Sequence, residues 1–99
     1  RHGTAQMAGF TAQNVANSLW ALGTLRVRPE EELLQALEGR ARRVMSNFTS
    51  QAVSNSLWGY AAFGGKMQGP ILEAFESRVV ETAGAFTPQA VANAFWAYA

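Results

Sequence analysis

The chain has 99 residues, no cysteine, one histidine and a net charge of +1, with eight Lys and Arg against seven Asp and Glu. Without cysteine there is no disulfide framework and no thiolate metal site, and so even a charge balance lacks the strongly basic face expected of a nucleic-acid binder. No apolar stretch approaches the roughly 20 residues of a membrane span, and His2 lies at a terminus, where a solvated side chain is the ordinary state.

From Phe10 onward the sequence repeats without a gap. Phe10-Thr11-Ala12-Gln13-Asn14-Val15-Ala16-Asn17-Ser18-Leu19-Trp20 returns from Phe48 to Trp58 and again from Phe86 to Trp96, with Phe, Thr, Gln, Val, Asn and Trp in the same slots. Residues 1–9 are in phase with 39–47 and 77–85 and read as the tail of a preceding repeat. Repeat 1 then spans 10–47, repeat 2 spans 48–85, and 86–99 is the first helix of a truncated third. A fixed period of roughly 20–50 residues marks a solenoid, whose units bury their apolar faces only against their neighbours. The expected fold is therefore all-α, a right-handed α-solenoid of antiparallel hairpins with about two and a half repeats. Phe95, Trp96 and Tyr98 lack the polar cap of a terminal repeat, so the chain reads as a window of a longer array.

In chain order the pattern predicts helices near 12–25, 30–45, 50–63, 70–83 and 88–99. Thr11, Thr49 and Thr87 are N-caps, and Pro88 stands at a first helical position. Phe10–Val15, Phe48–Val53 and Phe86–Val91 have hydrophobic-staple spacing, while Asn14, Ala52 and Ala90 leave the capping box without its acidic half. Val15, Leu19 and Leu22 form the first apolar stripe, widened by Ala16, Trp20 and Gly23. The second helix starts near Pro29, with Glu30, Glu31 and Glu32 at its positive end and Arg40, Arg42 and Arg43 at its negative end. Its buried face is Leu33, Leu34, Leu37, Ala41, Val44 and Met45. After the loose Gly64-Gly65 link, Pro70 opens the corresponding helix about one turn later, with Ile71, Leu72, Phe75, Val79 and Val80 as its core side.

The motif FTxQxVxNxxWxx in a two-helix unit, with second-helix segments from Glu32 to Glu38 and from Pro70 to Glu76, resembles the octotricopeptide repeat. A period of about 38 residues differs from the tetratricopeptide unit (about 34) and from HEAT and armadillo units (about 40–47). The resemblance covers nearly the whole chain. It departs where Asn14, Ala52 and Ala90 replace an acidic residue common in the family. It implies an all-α superhelix in mitochondria or chloroplasts that binds RNA and acts in RNA processing, stability or translation. The alternative it carries is a structural solenoid subunit of an organellar ribosome or other ribonucleoprotein, contacting rRNA and proteins without reading sequence. The implied partners are single-stranded RNA or rRNA, neighbouring repeats of the same protein and ribosomal proteins, with no membrane and no small-molecule substrate.

A one-repeat-per-base reader must vary between repeats, and a scaffold must not. Asn14 differs from Ala52 and Ala90, and Ser18 and Ser56 differ from Ala94, which makes Asn14, Ser18 and Ser56 the base-edge candidates. Gln13, Gln51 and Gln89 with Asn17, Asn55 and Asn93 do not vary. They read as scaffold bonded to loops or to the next repeat, or else as sequence-independent backbone contacts. Trp20, Trp58 and Trp96 read as inter-repeat core wedges in preference to base-stacking platforms. Arg40, Arg42 and Arg43 are phosphate candidates, against a plain Glu38–Arg42 surface pair. No catalytic constellation, Gly-rich phosphate cradle, cofactor motif or metal-ligand cluster is present, so an enzyme is not expected.

Overall fold

The computed structural model describes residues 8–85 and is all-α. Four helices follow one another: α1 (Ala12–Leu25), α2 (Glu31–Arg43), α3 (Ser50–Ala62) and α4 (Pro70–Thr82). Single 3₁₀ turns follow α2 at Met45–Asn47 and α4 at Ala83–Ala85, and no strand occurs among the described residues. The expected helix at 88–99, with Gln89, Asn93 and Trp96, lies outside the described residues.

Helix starts follow from the repeated Phe-Thr. Thr11 Oγ1 accepts from Asn14 N at 3.1 Å, and Thr49 Oγ1 accepts from Ala52 N at 3.0 Å. The capping box, which lacks an acidic residue, is nevertheless closed in repeat 1, because Asn14 Oδ1 accepts from Thr11 N at 3.1 Å. An amide oxygen does here what a carboxylate does elsewhere; Ala52 has no such atom. Both first helices also end alike. Val27 N donates to Leu22 O at 2.9 Å, and in the same slots of the next repeat Gly65 N donates to Tyr60 O at 3.0 Å. This closure needs a left-handed residue, which is Arg26 (φ 58°) in repeat 1 and Gly64 (φ 87°) in repeat 2.

The second helices correct the sequence reading. Helix α2 starts at Glu31, with the buried Pro29 two residues ahead of it, and stops at Arg43 before a 3₁₀ turn. Helix α4 starts at Pro70, one residue past the slot of Glu31 and not a full turn. Leu33 and Val80, expected inside, are exposed, Val80 by 77%. Adjacent residues on one helix cannot all face one side, and Leu34 and Val79 take the inner places.

Two relationships set the packing. Arg40 Nε, late in α2, donates to Phe10 O at 2.7 Å just before α1, so the two helices run antiparallel. Arg78 Nε repeats the bond to Phe48 O at 2.8 Å for α4 and α3. Between hairpins, α1 lies along α3 and α2 against α4. Arg26 Nη1 reaches Ala62 O at 3.3 Å and Arg28 Nη1 reaches Gly64 O at 2.8 Å, so α1 and α3 share a direction. They cross backbone to backbone: a Cβ on Gly59 would lie 2.2 Å from Leu19 O, and one on Gly23 would lie 2.6 Å from Gly59 Cα. The core is continuous across both hairpins, from Val15 and Leu19 through Leu37 to Phe48, Val53 and Phe75. Phe48 and Phe75 meet edge to face at 5.3 Å, a favoured aromatic geometry.

Candidate nucleic-acid interface

Gln13, Asn17 and Trp20 stand at i, i+4 and i+7 on α1, and Gln51, Asn55 and Trp58 do so on α3. Such spacing places each trio on one face of its helix. α1 and α3 run side by side in the same direction, and the trios meet at their tryptophans. Trp20 and Trp58 are in ring contact, with centroids 6.2 Å apart and planes inclined at 33°. The result is a ribbon of amides and indoles that crosses the boundary between hairpins.

Among the described residues the amides of the first two repeats bond to one another and not to loops. Gln13 Nε2 donates to Asn17 Oδ1 at 2.8 Å, and Gln51 Nε2 donates to Asn55 Oδ1 at 2.9 Å. Each pair is closed within its own helix. Gln13, Asn17 and Gln51 are exposed and Asn55 is half-buried. An exposed side-chain pair of this kind stabilises a helix by only about 0.2–0.5 kcal/mol, so its recurrence is weakly explained by stability. Each glutamine also keeps its own acceptor oxygen, and each asparagine its own N–H donors.

Trp20 is 46% exposed and Trp58 half-buried, and the two rings meet between the repeats without either being fully enclosed. Position i+7 from Gln13 lies on the polar face of α1, away from the Val15–Leu19 stripe.

Among the base-edge candidates, Ser56 is fully buried, and its Oγ donates to Ala52 O at 2.8 Å, so it cannot meet a base. Ser18 makes the same bond to Asn14 O at 2.9 Å. A serine bonding back to the carbonyl four residues earlier serves its own helix. Asn14 is exposed but commits its oxygen to the cap.

The three arginines separate. Arg40 is half-buried in the clasp to Phe10 O. Arg42 and Arg43 are exposed and make no hydrogen bond or ion pair among the described residues. The competing Glu38–Arg42 pair does not form: Glu38 instead accepts the hydroxyl of Tyr60 on the neighbouring hairpin. Burial, reinforced by the bond to Glu38 and its negative charge, pushes the Tyr60 hydroxyl well above the ordinary phenol range. Sequence reasoning missed Tyr60, Arg78, Arg26 and Arg28, all of which tie segments together. Arg78 was visible in principle, since it shares the repeat slot of Arg40.

Neither α1 nor α3 contains a charged residue. The ribbon can offer hydrogen bonds and π-faces but no charge. A cleft of about 350 Å³ opens between the starts of α1 and α3, lined by Gln13, Arg40, Asn47 and both cap threonines among others. Among the described residues no helix is long and apolar enough to cross a membrane, and no three His, Cys, Asp or Glu side chains gather as metal ligands. Comparison of the chain with family models, with curated proteins and with solved structures finds no match.

Proposed function

We propose that this chain is an RNA-binding segment of a right-handed α-solenoid of octotricopeptide type, part of a larger organellar protein acting in RNA processing, stability or translation. It is a binding element, not an enzyme. The observation that carries the reading is the ribbon itself: the same Gln–Asn pair and Trp in successive repeats, exposed at Gln13, Asn17, Trp20 and Gln51, half-buried at Asn55 and Trp58, and touching at Trp20–Trp58. Indole faces accept any base, and stacking contributes about 1–3 kcal/mol per base. Amide pairs that do not change between repeats suit contacts common to all nucleotides, as opposed to a letter-by-letter code. The ribbon therefore grips single-stranded RNA with little regard to sequence.

The uncharged faces of α1 and α3, and the use of Arg40 and Arg78 as clasps, favour a second reading. In it the chain is a structural solenoid of an organellar ribosome or another ribonucleoprotein, held by rRNA and by proteins together.

Fluorescence anisotropy with unrelated single-stranded RNA oligonucleotides tests the first reading. Replacing Gln13 and Gln51 by Ala is expected to weaken binding by a similar factor for every sequence. A protein with no affinity for RNA at low salt contradicts it, and a loss confined to one sequence contradicts the sequence-independent grip.

A further inference from the structure

The two clasp arginines occupy the same repeat slot and make the same bond through Nε, but their remaining nitrogens differ. Arg78 Nη1 is held by Glu81 Oε1 at 3.1 Å, an i, i+3 pair. The slot that Glu81 fills in repeat 2 is filled in repeat 1 by Arg43. Arg40 therefore has no carboxylate beside it at that position. Its terminal nitrogens make no hydrogen bond or ion pair among the described residues. Arg40 also lines the cleft between the starts of α1 and α3, as does Gln13, the first residue of the amide ribbon. The clasp fixes the guanidinium by one edge and leaves the other edge of its fork available. A fork held this way is pre-organised for the paired oxygens of a phosphate. Arg43, i+3 from Arg40, adds a second positive charge on the same side of α2.

We infer that the cleft at Arg40 and Gln13 takes a phosphodiester group of a strand bound along the ribbon, and that Glu81 withholds Arg78 from the equivalent task in repeat 2. The inference rests on the RNA-binding reading and deepens it. The ribbon on α1 and α3, having no charge, contacts bases and sugars. Charge enters at its edge, once in these two repeats and not twice.

The test is the salt dependence of single-stranded RNA binding by the protein and three variants. Each phosphate neutralised on a single strand contributes about 0.7 to the slope of log K against log salt. Glu81→Gln frees Arg78 and is expected to steepen the slope by about 0.7. Glu73→Gln makes the same change of charge on the same helix, away from Arg78, and is expected to leave the slope unaltered. Arg43→Glu gives Arg40 the partner that Arg78 has, and is expected to flatten the slope by about 0.7. Positions 43, 73 and 81 are all exposed, so the fold is retained, which circular dichroism checks. Equal slopes for Glu81→Gln and Glu73→Gln overturn the inference while RNA binding itself stands. Competition by an acidic peptide as strong as by RNA of equal charge overturns the phosphodiester assignment. A protein that binds no RNA at low salt overturns this inference together with the functional reading beneath it.

Discussion

Gly23 of α1 and Gly59 of α3 meet backbone to backbone, with no room for a Cβ on either. The two glycines do not share a repeat slot, since the slot of Gly23 is filled in repeat 2 by Ala61. This crossing is a local fit between one pair of helices and is not dictated by the repeat. Gly59→Ala is expected to destabilise the protein by roughly 1–3 kcal/mol, because an added methyl in packed surroundings forces the helices apart. Urea unfolding measures this. An unchanged midpoint would mean that α1 and α3 are not in backbone contact.

The arginine clasps are equally structural. Arg40→Ala and Arg78→Ala each remove a charged donor from a main-chain carbonyl and are each expected to cost about 1.5 kcal/mol. The two bonds lie in different hairpins and share no partner. The double variant should therefore show the sum to within about 0.5 kcal/mol. Thermal or urea unfolding of the three variants checks both statements. Loss from Arg78→Ala alone would break the equivalence of the repeats.

Tyr60 gives the hairpin boundary a pH dependence. The folded protein retains the hydroxyl proton, through burial first and through Glu38 second, beyond the ordinary value of 10.0 at which the unfolded chain releases it. The folded state then binds more protons than the unfolded state, so stability falls as pH rises. The contribution of Tyr60 is complete below the ordinary phenol value and is lost above it. Unfolding midpoints at about pH 8 and about pH 11, either side of the ordinary phenol value, should drop more for the native chain than for Tyr60→Phe. Equal drops would remove Tyr60 from the account.

Asn14 and Ser56 test the distinction between capping and reading. Asn14→Ala is expected to cost about 0.5–1 kcal/mol through the lost hydrogen bond from Thr11 N, the second half of the capping box, and to leave the order of affinities for different RNA sequences unchanged. Ser56→Ala removes a hydroxyl that bonds only its own helix and is expected to lie within about 0.5 kcal/mol of the native chain. A shift of preference at one nucleotide in either variant would restore these residues as base readers.

The helices were legible because their signals are local. The Thr caps, the Val15–Leu19 stripe and the Gly64-Gly65 break act within a few residues of their own position, and α1 lies at the predicted 12–25. What sequence could not give is set by neighbours in space. Serines 18 and 56 look alike in sequence and make the same bond within their helices, yet Ser18 is half-buried and Ser56 fully buried. Glu38 has Arg42 at helical spacing, yet Tyr60, 22 residues away, takes its carboxylate. The amide pairs are visible as i, i+4 neighbours, but only their closure on each other leaves them facing outward as a ribbon. Large aromatic residues usually belong to the core, which is why Trp20 reads as a wedge; its register on the Gln13–Asn17 face leaves it 46% exposed while it still meets Trp58.

The central claim is that the indoles of this ribbon meet nucleobases. Intrinsic fluorescence tests it directly, since Trp20, Trp58 and Trp96 are the three tryptophans of the chain. Titration with single-stranded RNA at low salt is expected to quench the emission to a saturating plateau, to a similar extent for unrelated sequences. Trp20→Phe should remove part of that quenching while binding persists. RNA binding, measured independently, with no change in tryptophan emission would contradict the account.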